Sequence, residues 1–119
     1  KAEALANLDG AANLEAAEAI VNQVRARVSL PVLPASAKAS KESMLNAILK
    51  ERRLELAFEG QRWFDLGRYE KVEEVMNSLN SRDSGRLPLR RAYTETSYLF
   101  PIPSTAIDLN TNLVQNPGY

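Results

Sequence analysis

The chain has 119 residues, of which 45% are hydrophobic, and 15 basic side chains balance 15 acidic ones. That length suits one domain or part of one, and zero net charge argues against general attraction to nucleic acid or anionic lipid. There are no cysteines and no histidines, which excludes thiol catalysis, disulfides, structural zinc and Ser-His-Asp chemistry.

No apolar run approaches the roughly twenty residues that a membrane span requires. No signal peptide is read at the start. Lys1-Ala-Glu-Ala-Leu-Ala reads as the end of a helix already under way, so an upstream part is expected.

Lys1 to Leu8 is predicted helical and ends at Asp9-Gly10. Asn13 is placed to cap a second helix. Leu14, Ala17, Val21, Val24 and Val28 then recur at spacings of 3, 4, 3 and 4, one clean apolar stripe with Ile20 beside it. This helix should stop near Val28, because Pro31 disfavours helix at Leu30. Two alanine-rich helices joined by a short glycine turn resemble a tetratricopeptide-type hairpin. Leu30 to Ala39, with its prolines and small residues, reads as a linker.

Ser40 is placed to cap a central helix that runs from near Lys41 to Glu59. Leu45, Ile48, Leu49 and Leu56 form one apolar stripe on it, and Ala47, Leu54 and Phe58 form a second on roughly the opposite side. Two stripes predict a helix packed from both sides. Gly60 follows where a left-handed stop is wanted. Arg52 lies among the leucines and needs carboxylates, so Glu55 or Glu59 is its expected partner, with Arg62 joining from past the turn. Glu55 and Glu59 are also spaced as an acid/base pair for sugar hydrolysis would be. The interleaved arginines neutralise them and no cleft is implied, so the structural role is preferred.

Trp63, Phe64 and Leu66 make an aromatic cluster on a short helical or turn segment. Trp63 is either a stacking platform for a sugar ring or a core residue, and its place after a buried helix favours the core. Tyr69 to Leu79 is a further amphipathic helix, with Val72, Val75, Met76 and Leu79 on one face. Residues 80–97 have no clear period. Arg82, Arg86, Arg90 and Arg91 are a candidate anion cluster there, although solvated loop charge is the preferred reading. Tyr98-Leu-Phe-Pro-Ile-Pro is expected to be extended. Ser104 is a possible cap for one helical turn, and Asn-Pro-Gly-Tyr ends the chain as turn material. No phosphate-binding glycine loop, dinucleotide fingerprint or metal cluster is present, so no cofactor and no metal are expected.

Three blocks of this sequence together resemble the C-terminal part of the SusD/RagB family. They are Val21-Asn-Gln-Val-Arg-Ala-Arg-Val, then Glu51-Arg-Arg-Leu-Glu-Leu-Ala-Phe-Glu-Gly-Gln-Arg-Trp-Phe-Asp-Leu, then Leu99-Phe-Pro-Ile-Pro-Ser-Thr-Ala-Ile-Asp-Leu-Asn closing with Asn112-Leu-Val-Gln-Asn-Pro-Gly-Tyr. The family usually has a basic residue where this chain has Gly67, and often an acidic one where it has Ala106.

The resemblance implies a mainly α fold with a tetratricopeptide-like helical hairpin, a central long helix and an irregular, loop-rich C-terminal segment. Residues 1–119 would be the last quarter or so of a longer SusD-like protein, helical over 1–79 and irregular or extended over 80–119. It further implies a non-enzymatic lipoprotein of the Bacteroidota outer membrane, exposed at the cell surface. The lipid anchor would lie outside this chain. Such proteins hold an oligosaccharide, or in some members a peptide, for import by a SusC-like TonB-dependent transporter. The alternative is a helical protein–protein interaction module without glycan binding.

Glycan capture needs exposed aromatics beside polar groups. The family supplies most of these from outside this part, so Tyr93 with Arg90 and Arg91 is the candidate contribution of this chain. Apolar surface near Leu5 and Leu14, uncovered by loss of upstream helices, is expected to promote self-association.

Overall fold

The computed structural model describes residues 1–83 and 92–119. Among them the fold is mainly α, with no strand. The chain divides into two compact units, Lys1–Glu59 and Gly60–Tyr119.

The first unit holds α1 (Ala2–Leu8), α2 (Ala11–Arg27), a short 3-10 turn (Ala35–Lys38) and α3 (Lys41–Glu55). Helices α1 and α2 form the expected tetratricopeptide-like hairpin. Gly10, at φ 86°, takes the N-cap position of α2, a conformation that costs glycine little. Asn13 therefore sits inside the helix, and its Nδ2 donates back across the turn to the Asp9 carbonyl at 2.7 Å. Leu14, Ala17 and Val21 are buried as the stripe predicts, whereas Val28 lies past the helix end and is exposed. Leu14 is 6% exposed and Leu5 is half-buried against the same core, while Leu8 at the end of α1 is 72% exposed.

The end of α2 is a tight left-handed turn. Ser29, at φ 57°, sends its N–H to the Ala26 carbonyl, and the Leu30 N–H reaches the Arg25 carbonyl at 3.0 Å. Glycine usually fills that position. The turn reverses the chain, and the Leu33 N–H is then caught by Asn22 Oδ1 at 2.8 Å. As a result Leu33 and Ala37, in what reads as a linker, are buried members of the core with Met44 and Ile48 of α3.

Helix α3 starts as predicted: Ser40 Oγ accepts the Ser43 N–H at 3.1 Å. Its core stripe is rotated slightly from expectation, with Met44 fully buried beside Ile48 and Leu49. The helix ends at Glu55, four residues earlier than Glu59. Phe58 turns to φ 68° before Gly60 at 72°. The second apolar face is not buried as a unit: Leu54, still inside the helix, is 59% exposed, Phe58 past its end is fully exposed, and Ala47 packs toward the core.

Charged groups tie α2 to α3. Arg25 Nη1 meets Glu51 Oε2 at 2.7 Å, with the two side chains only 17% and 11% exposed. Arg25 Nε also donates to the Pro31 carbonyl at 2.7 Å. Arg27 of α2 bonds Glu55, a partner from another helix that same-helix spacing had not indicated.

The second unit holds α4 (Arg62–Arg68), α5 (Val72–Arg82) and α6 (Ser104–Leu109). Helix α4 ends as α2 does. Glu70, at φ 55°, donates its N–H to Gly67, and the Lys71 N–H reaches the Leu66 carbonyl at 2.8 Å. This turn consumes Tyr69 to Lys71, so α5 starts at Val72 rather than Tyr69. Leu66 and Val72 are buried here, with Asp65 bonded to Arg68 at 2.9 Å. Pro103, not Ser104, takes the N-cap position of α6, and no side chain caps it.

Two substitutions test this account. Ser29→Gly should stabilise the protein by about 0.5–1 kcal/mol, relief of the left-handed strain outweighing glycine's entropy cost, read as a higher urea midpoint in far-UV circular dichroism. Arg25→Met should cost about 3 kcal/mol by stranding Glu51 in a nearly buried site, and the Arg25→Met/Glu51→Leu double variant should regain most of it.

Candidate functional site

Tyr93, the aromatic candidate from sequence, is half-buried in the second unit. Asn77 of α5 holds its backbone by a two-point amide clamp: Nδ2 donates to the Tyr93 carbonyl and Oδ1 accepts its N–H, both at 2.8 Å. The clamp sets the Tyr93 ring against Trp63, with centroids 6.0 Å apart and planes tilted by 59°. That distance and tilt suit aromatic attraction. Arg86, Arg90 and Arg91 lie outside the described residues. Arg82 is engaged by Asp83 at 2.8 Å, and this hydrogen bond holds the Asp83 carboxyl below its usual range.

Trp63 is neither wholly core nor wholly free. It is half-buried, and it lines a hollow of about 300 Å³ with Phe64, Gly67, Arg68, Tyr98 and Phe100. Phe64 is 61% exposed and Phe100 is 63% exposed. Gly67 faces Tyr98: a Cβ on it would lie 3.4 Å from Tyr98 Cβ, an ordinary van der Waals contact. Tyr98 also borders a second hollow of about 300 Å³, lined by Glu70, Val72, Glu73, Glu95 and Thr96. Aromatic faces beside hydroxyl, carboxylate and guanidinium groups are what a sugar ring requires, because its faces are apolar and its edge is polar. The sequence had marked Trp63 and Phe64 as a cluster. It carried no local signal that Tyr98 and Phe100 join them.

In the first unit, a hollow of about 250 Å³ has Ile20, Val21, Val24, Ile48 and Leu56 on its apolar side, with charged groups including Glu51 and Glu55. Glu55 is bonded to Arg27, so it does not stand with Glu59 as a free acid/base pair. Among the described residues, no group of three or more acidic side chains is placed to hold a metal ion. No helix among them is long and apolar enough to cross a membrane.

Comparison with known proteins agrees along the chain. The SusD family description matches residues 1–119. SusD-like protein P2 of Formosa agariphila is 33% identical over 105 residues, covering 83% of this chain and 20% of that protein. SusD-like protein P38 of the same organism is 40% identical over 93 residues, covering 73% of this chain and 18% of that protein. The crystal structure of a SusD-like protein from Bacteroides fragilis superimposes with a TM-score of 0.73 at 28% identity, covering 99% of this chain and 23% of that one. The chain thus spans about a fifth of the length of the curated relatives it matches. With its helical hairpin, its Arg/Glu-paired helices and its pinned C-terminal segment all inside the matched region, this chain belongs to the SusD family.

Proposed function

We propose that this chain is the C-terminal part of a SusD-like protein that binds an oligosaccharide, or in the alternative a peptide nutrient, for uptake. The observation that carries this reading is the family match over residues 1–119. The aromatic hollow beside Trp63 supports it, because it presents ring faces and polar groups together. In this reading the protein is a binding protein, not an enzyme. A lipid anchor outside these residues holds it on the outer membrane at the cell surface, where it hands its ligand to a SusC-like TonB-dependent transporter.

Tyr93, with Arg90 and Arg91, is proposed as a ligand-binding contribution of this chain. Tyr93 packs against Trp63, and the two arginines stand just before it in sequence. Most of the site then comes from outside these residues. The second reading, a helical module that binds a protein partner, is favoured by one observation, the apolar hollow among α1, α2 and α3.

Titration with neutral oligosaccharides and short peptides, followed by calorimetry and by emission of the single tryptophan, tests the reading. Saturable oligosaccharide binding that shifts Trp63 emission is the expected result. Trp63→Ala should then weaken it by about fivefold, since an aromatic stacking contact is worth about 1 kcal/mol. Silence towards sugars and peptides, with a protein partner seated among α1, α2 and α3, would replace this reading with the second.

A further inference from the structure

The wall of the aromatic hollow is not held by burial. Tyr98 is 45% exposed and Phe100 is 63% exposed, so packing alone leaves both rings loosely placed. The backbone beneath them is also poorly suited to ordinary pairing. Pro101 and Pro103 have no N–H to offer a neighbouring strand.

Side chains of the C-terminal tail supply the missing partners. Gln115 Oε1 accepts the Ile102 N–H at 2.8 Å, and Gln115 Nε2 donates to the Ile102 carbonyl at 2.9 Å. Asn116 Nδ2 donates to the Phe100 carbonyl at 2.7 Å. The Tyr119 hydroxyl donates to the Leu99 carbonyl at 3.0 Å, with Gly118 at φ 91° just before it. Three consecutive non-proline residues of the wall segment are thus bound by three side chains of one short tail.

We infer that Gln115, Asn116 and Tyr119 are positioning residues: they form a strap that fixes the 99–102 backbone and thereby the Tyr98 and Phe100 wall facing the hollow. A primary amide matches the N–H and C=O of a single residue, so Gln115 reads Ile102 as a paired strand would, without needing the amides the prolines lack. The strap makes the hollow a fixed shape rather than a flexible patch. Its relevance to ligand rests on the proposed nutrient-binding role, but its existence does not.

The test uses the 119-residue chain without ligand. Gln115→Met keeps length and removes both bonds to Ile102, and Tyr119→Phe removes one bond at an exposed position. Loss of the two Gln115 bonds should speed hydrogen exchange at the Ile102 amide by about fivefold to thirtyfold, and acrylamide should quench Trp63 more strongly. Val114→Ala, at an exposed tail residue, should change neither. Unchanged Ile102 exchange and Trp63 quenching in Gln115→Met would overturn the inference. If Gln115→Met loses its helical circular dichroism, Tyr119→Phe decides by the same two readings. A strap confirmed in this way would stand even if the longer protein bound no sugar or peptide, the result that would remove the nutrient reading.

Discussion

The first unit depends on Arg25. Its Nη1 meets Glu51 of α3, its Nε holds the Pro31 carbonyl, and its own carbonyl accepts the Leu30 N–H. One residue thus joins the end of α2, the reversing chain and the central helix. The ion pair is mostly out of water, where desolvation is repaid only by good geometry and further hydrogen bonds. Both are present. The pair joins α2 to α3 at one point along each helix. Arg27 and Glu55 repeat the arrangement nearer to solvent. With the chain reversed at Ser29 and held at Pro31, Leu33 and Ala37 fall into the core beside Met44.

The second unit solves a different problem. Its Pro-rich segment and its turns offer backbone groups without a strand to receive them, and such groups need partners. Side-chain amides serve instead. Asn77 clamps Tyr93, and Gln115 clamps Ile102, each through one donor and one acceptor on the same planar group. Polar pins of this kind hold a backbone in place without burying the side chains above it. They let Phe64, Tyr98 and Phe100 remain exposed around Trp63 while their anchor points stay fixed.

The three sequence blocks that mark the SusD family therefore have physical content. The Arg25-Ala-Arg27 step of the first block pairs with Glu51 and Glu55 of the second. The halves of the third block, around Phe100-Pro-Ile and Gln115-Asn-Pro-Gly-Tyr, bind each other. The first set of contacts holds the first unit, and the second set lies within the second unit, which carries the aromatic hollow.

The sequence by itself determined what depends on near neighbours. Helical periodicity placed α1, α2 and the start of α3, Ser40 announced its cap, and the proline at 31 closed α2 within a residue or two. The family was legible as well, because its blocks are contiguous runs. The tertiary structure decided what depends on distant partners. Arg25 and Arg27 choose carboxylates 26 and 28 residues away, and Asn77 and Gln115 choose backbones 16 and 13 residues away. Nothing local to an arginine or an amide says which remote group it will face. The same limit explains the misplaced end of α3: Leu54 and Phe58 continue an apolar period, yet the backbone leaves the helix after Glu55 and turns left-handed at Phe58. Tyr93 was legible as an aromatic among polar residues. That it backs Trp63, beside a hollow walled by Tyr98 and Phe100, followed only from the folded chain.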